Sequence, residues 1–286
     1  MKPKILLYTL YVAAAVAVSL YLRFPGEPLR DYVTHRAEQM LPGLSLAVAE
    51  VRPALPAAIR FQGIEAGYQD MPVLRFDQVR MAPEWGSILR LKPAAVFKTT
   101  IGGGSLRGVV HRSENMSLES LVSSIEFKEI QLAELRILDE LFDRRITGQF
   151  SGKISRLSES SAKGLEIQVQ LTNAAIELKL PVLQRDSLSV KQLQAEAAIV
   201  DGTRLQIKRC EFRGPEFDGE LVGNIELKGD FANSVIDLQA SATPHTVFMA
   251  ELKKIVPPQL LSGKGRGGTF SLQLSGTLDK PRYSFR

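Results

Sequence analysis

The sequence predicts a mainly β chain. It should form a curved antiparallel sheet, as a trough or a sandwich, with a few short helices and an N-terminal transmembrane helix. Three observations lead there. Apolar and polar residues alternate over many short stretches from about residue 44 onward, the mark of strands with one dry and one wet face. Residues Ile5 to Leu22 carry no charge. Helical spacing of apolar residues is confined to a few short segments.

The uncharged run, ILLYTLYVAAAVAVSLYL, has 18 residues. At a rise of ~1.5 Å per residue it spans ~27 Å, close to the hydrocarbon thickness of a bilayer. Tyr8, Tyr11 and Tyr21 lie toward its ends, as interfacial aromatics do. Ala15-Val16-Ala17 has the small-x-small form of a cleavage site. The apolar run continues past it through Leu22, longer than a signal core, which favours a retained anchor. Lys2 and Lys4 before the run and Arg23, Arg30 and Arg36 after it give no strong bias in orientation. The short tail 1–4 is expected in the cytoplasm and the bulk on the other side of the membrane, as in a single-pass protein.

Phe24-Pro25-Gly26 breaks this helix. A second one can start at Pro28. Leu29, Tyr32, Val33, Ala37 and Met40 give it an apolar stripe, and Pro42-Gly43 ends it. Residues 23–58 read as a juxtamembrane helix and connector, and 59–286 as a β domain. Alternation is clear at Ile59 and Phe61, Leu74 and Phe76, Leu165 to Leu171, Ile176 to Leu180, Leu205 and Ile207. It continues at Ile225 and Leu227, Ile236 and Leu238, and Phe270 to Leu274. Such strands build antiparallel meanders rather than parallel sheets buried on both faces. Helices are expected only at 131–142, from Leu132, Leu135, Leu138 and Leu141, at 247–256 between Pro244 and Pro257, and over Ser117 to Val122. The pattern Gly-x-apolar-x-Gly occurs at Gly104 to Gly108, Gly148 to Gly152 and Gly219 to Gly223, where missing side chains let a sheet bend.

The net charge is +5, from 36 basic and 31 acidic residues. Without Lys2, Lys4 and Arg23, which flank the apolar run, 33 basic residues face 31 acidic ones, a net of +2. That is a weak footprint for nucleic acid, and none is expected as a partner. One cysteine excludes an intrachain disulfide and any zinc site on paired cysteines. His35, His111 and His245 have no ligand spacing, so no metal is expected. Cys210 follows Lys208 and Arg209, but its strand context marks an inert structural thiol. Asp139, Glu140 and Asp143 beside Arg144 and Arg145 read as a solvated charge cluster. Gly102-Gly103-Gly104 lacks the Gly-Lys-Ser/Thr of a phosphate loop. Gly263 to Gly268 is glycine-rich and basic but precedes a strand rather than a helix. There is no Gly-x-Ser-x-Gly elbow. No catalytic residue and no cofactor is expected, and the chain does not read as an enzyme.

The order of short motifs carries a resemblance. Phe24-Pro25-Gly26-Glu27-Pro28-Leu29-Arg30-Asp31-Tyr32-Val33 follows directly on the anchor. Leu41-Pro42-Gly43-Leu44 and Val51-Arg52-Pro53-Ala54-Leu55-Pro56 come next, and Leu274 to Tyr283 closes the chain. This order resembles the type II secretion system protein N (GspN) family in its anchored form. Gly276-Thr277-Leu278-Asp279-Lys280-Pro281 is also similar to the ends of AsmA-like proteins. The resemblance implies an inner-membrane protein whose periplasmic sheet curls around an apolar groove. It implies other secretion-system components as partners and no catalytic residues to carry over.

Two functions follow as expectations. One is a non-catalytic component of type II secretion, partnered with the inner membrane. The other is a lipid-binding or lipid-transfer module holding phospholipid. Too few helices exist to cover the dry strand faces, so a curled sheet should leave a trough. The candidate groove residues are Ile167, Val169, Leu171, Ile176, Leu178, Ile225, Leu227, Ile236, Leu238, Leu272 and Leu274. The alternative is a closed dry core.

Overall fold

The computed structural model describes residues 3–40, 43–55, 57–68, 74–89, 93–111, 122–135, 137–139, 144–157, 164–177, 187–229, 233–255 and 269–285. The chain forms two compact units, Met1–Thr99 and Thr100–Arg286.

The first unit begins with α1 (Pro3–Leu22) and α2 (Gly26–Met40). Strands β1 (Leu44–Ala54), β2 (Ala58–Tyr68) and β3 (Leu74–Pro83) follow, then the short α3 (Trp85–Leu89) and β4 (Ala94–Ile101). The backbone of α1 is helical through the whole uncharged run. Among the described residues no helix is long and apolar enough to cross a membrane. Strands begin at Leu44, inside the segment read as connector, because Leu44 to Ala54 pairs with Ala58 to Tyr68 along its length. The core of this unit is Val48, Val51, Phe61 and Ile64, with Phe24, Leu29 and Val33 packed against it. Leu29 and Val33 of α2 thus pack onto the core that β1 and β2 supply.

The second unit comprises β5 (Gly104–His111), β6 (Val122–Gln131), a 3-10 turn (Leu132–Glu134), β7 (Ile146–Arg156) and β8 (Gly164–Glu177). It continues with β9 (Ser187–Val200), β10 (Arg204–Arg213), β11 (Phe217–Glu226) and β12 (Val235–Pro244). Helix α4 (Thr246–Ile255), β13 (Phe270–Thr277) and β14 (Pro281–Phe285) complete it. The strands hydrogen-bond in chain order from β1 to β14, an unclosed sequence of neighbours in a mainly β, antiparallel sheet. The tight turns have local causes. Asp201 and Gly202, at φ 52° and 68°, supply the two left-handed positions of the β9–β10 hairpin.

One helix expectation needs correction, and a second falls mostly outside the described residues. The leucines from 132 do not carry a continuous helix over 131–142. Strand β6 runs to Gln131, whose N–H donates to Gly102 O at 2.7 Å, and a single 3-10 turn follows. Leu135 then adopts φ −91° and ψ 83°, outside the helical region, and residues 137–139 are helical again, so part of the expected helix is present. Of Ser117 to Val122 only Val122 is described, and it opens β6. The helix at 247–256 is present as α4, one residue earlier.

Bulges break the alternation in the second unit. In β10 the partners Ile207 with Gly223 and Cys210 with Leu221 leave Lys208 and Arg209 opposite Val222 alone. In β6 the register shifts between Phe127 and Ile130, where Glu129 has φ 55°. A bulge bends its strand and raises the local twist. It also changes which sequence parity faces the dry side.

Candidate functional site

Residues opposite one another in an antiparallel pair share a face. Following the register from β8 to β13 therefore traces rows across six strands. One row is Ile167, Ala197, Ile207, Gly223, Leu238 and Leu274. The next is Val169, Ala195, Cys210, Leu221, Ala240 and Leu272. A third is Leu171, Leu193, Phe212, Gly219, Ala242 and Phe270, and a fourth is Leu165, Ile199, Leu205, Ile225, Ile236 and Gly276. All four are apolar and lie side by side.

These rows bring together Ile167, Val169, Leu171, Ile225, Ile236, Leu238, Leu272 and Leu274. Ile176 lies beyond the irregularity at Asn173, paired with Ile146 and Leu188, and is 40% exposed. Leu227 follows the last residue of β11, and its N–H donates to Thr203 O at 2.6 Å. Leu178 lies outside the described residues. Sequence alternation alone missed Ala195, Ala197, Cys210, Leu221, Ala240 and the paired glycines. Their signal is the change of phase between Ile207 and Cys210, three residues apart where a regular strand needs two.

Of the described groove residues only Ile236 is buried, at 4% exposure, and the other row members are half-buried. Small side chains at Ala195, Ala197, Ala240 and Ala242 alternate with large ones on β8 and β13. At one end, Phe212 meets Phe217 edge-on at 5.4 Å, and Phe217 stacks on Phe248 of α4 at 6.0 Å. This aromatic cluster ties α4 to the strands.

The opposite face of the same strands is polar. Lys153, Gln168, Glu196 and Arg209 form one row, and Ser151, Gln170, Gln194 and Glu211 the next. Between them lies a hollow of about 390 Å³. Glu211 first by hydrogen bond and then by charge raises the Arg209 guanidinium pKa. Arg209 and Glu211 form an ion pair on this face.

The remaining candidates for chemistry are separated. His35 on α2 meets Gln39 at 2.9 Å. His245 lies 3.1 Å from Pro215 O and 3.3 Å from Asp218, which fastens the start of α4 to the β10–β11 turn. His111 ends β5. Among the described residues no group of three His, Cys, Asp or Glu could hold a metal. Of the acidic cluster, Asp139 is described, while Glu140 and Asp143 lie outside the described residues. Burial pushes the Cys210 thiol pKa up, opposite to the shift a nucleophile needs.

No family model, curated protein or solved structure matches this chain.

Proposed function

We propose that the chain is a non-catalytic component of the type II protein secretion system, anchored in the bacterial inner membrane by α1, whose apolar sheet face receives lipid acyl chains in the periplasm. The observation that carries the lipid reading is the set of four apolar rows left half-exposed across β8 to β13. A chain without strong polar partners can hold a ligand there through methylenes alone, at about 0.8 kcal/mol for each one buried. The secretion assignment rests on the motif order from Phe24 to Pro56 and on the closing segment. The anchor rests on the uncharged run lying within one helix of 20 residues.

Val169→Asp is the test of the face. Val169 sits between Gly152 and Ala195 in register, with small neighbours that leave room for an acyl chain. The variant should keep its strand-type circular dichroism and lose copurifying phospholipid. Lipid retained in a folded Val169→Asp protein would remove this row from the site. Unfolding of the variant would favour a closed core. Loss of the whole chain should stop export of folded substrates across the outer membrane while their passage into the periplasm continues.

A further inference from the structure

In the first unit the register places four cations side by side. Arg52 is opposite Arg60, Arg60 opposite Arg80, and Arg80 opposite Lys98, one from each of β1 to β4. Like charges directly opposite in a sheet are destabilising, so the row is an unfavourable arrangement for the fold alone. Acidic partners do not relieve it. Arg52 pairs with Glu50, but Arg60, Arg80 and Lys98 have no ion pair among the described residues. Arg80 donates to Leu55 O at 2.6 Å. The Nε of Arg60 is buried without a hydrogen-bond partner. A buried donor left unmade costs free energy. The rest of the crowded guanidinium and ammonium groups favour anionic oxygens as acceptors.

The surroundings point to the source of that anion. The row lies near the end of the unit formed by the β1–β2 turn and the β3–β4 connection. There Leu55 is 76% and Trp85 62% exposed. The chain leaves α1 at the same end. Phe24 packs on the core, and a Cβ on Gly26 would come within 2.5 Å of Val51 O, so α2 starts against this end of β1. Charged residues beside exposed Trp and Leu match the headgroup and acyl boundary of a bilayer.

We infer that Arg60, Arg80 and Lys98, with Leu55 and Trp85, form a second membrane contact that binds phosphate groups of anionic phospholipid in the leaflet where α1 emerges. The inference rests on α1 being the anchor. It adds lipid-headgroup recognition by the first unit, separate from the acyl site of the second.

Trp85 is the only tryptophan of the chain and reports on the contact directly. The full chain is placed in nanodiscs of phosphatidylcholine with and without phosphatidylglycerol, and Trp85 emission and its quenching by acyl-brominated lipid are measured. With phosphatidylglycerol the emission should shift to the blue and quenching should rise. R60Q/R80Q should lose that increment, and R60K/R80K should keep most of it. Matching circular dichroism shows that both variants are folded. Resistance to alkaline carbonate extraction reads the anchor separately. A retained protein whose Trp85 ignores phosphatidylglycerol would overturn the contact and leave the anchor standing. Thermal stabilisation by inorganic phosphate, lost in R60Q/R80Q and without a response to phosphatidylglycerol, would make the row a soluble-anion site and overturn the membrane assignment.

Discussion

Gly219 faces Phe212 across the β10–β11 register, and the place of its missing Cβ is already taken. A Cβ there would lie 2.3 Å from the Phe212 ring and 2.4 Å from Ser241 O. The ring rests on the glycine, and a strand carbonyl closes the other side, so neither neighbour yields easily. Gly219→Ala should therefore destabilise the second unit by about 1–3 kcal/mol, as overpacking does. Urea unfolding with a lower midpoint and an unchanged slope would show it, and an unchanged midpoint would contradict it. The Gly-x-apolar-x-Gly pattern made this position visible in the sequence. The partner of the glycine was not visible, because the bulge at Lys208 and Arg209 decides that Phe212 rather than Glu211 lies opposite. Cys210 shows the same effect. Strict alternation from Ile207 would send its thiol to the wet face, yet the bulge turns it into the apolar row.

At the scale of elements, α4 was legible because Pro244 and Pro257 bracket a run with apolar residues at helical spacing. Its docking depends on one side chain. Phe248 is 7% exposed and stacks on Phe217. Phe248→Ala should cost about 3–5 kcal/mol, the usual loss for a buried aromatic. The urea midpoint of the full chain measures this, and a loss below about 1 kcal/mol would mean that α4 does not depend on the stack. The segment after residue 131 was misleading for the opposite reason. Leu132, Leu135 and Leu138 have helical spacing, but Gln131 is held by the carbonyl of Gly102, and this bond keeps the backbone extended up to the turn. Local spacing loses to a hydrogen bond formed with a segment about thirty residues earlier in the chain. The bond between Arg80 and Leu55 O is a similar long-range tie, one that no pattern within β3 announces.

For the molecule as a whole, period two sufficed to read a mainly β, antiparallel fold, because each strand carries its own dry face. The four apolar rows were out of reach, since a row requires the register of several pairs at once. Among the described residues, strands pair only with their neighbours in sequence. Force applied through β5 and β14 pulls across the strands and opens each ladder one bond at a time. Single-molecule extension of the second unit should therefore give a series of small steps at low force. One abrupt event at high force would indicate strands loaded along their length, which this order does not provide.

The same neighbour-only order bears on how the chain is made. A strand in a Greek key must wait for a partner that is synthesised much later, with its edge open meanwhile. Here every strand finds its partner in the segment that has just preceded it. The sheet can thus grow by accretion, one hairpin arm at a time, and loop closure stays local. For a polypeptide threaded amino end first through a narrow channel, the newest strand always offers the edge that the next one takes. Each further residue that emerges helps to cover it.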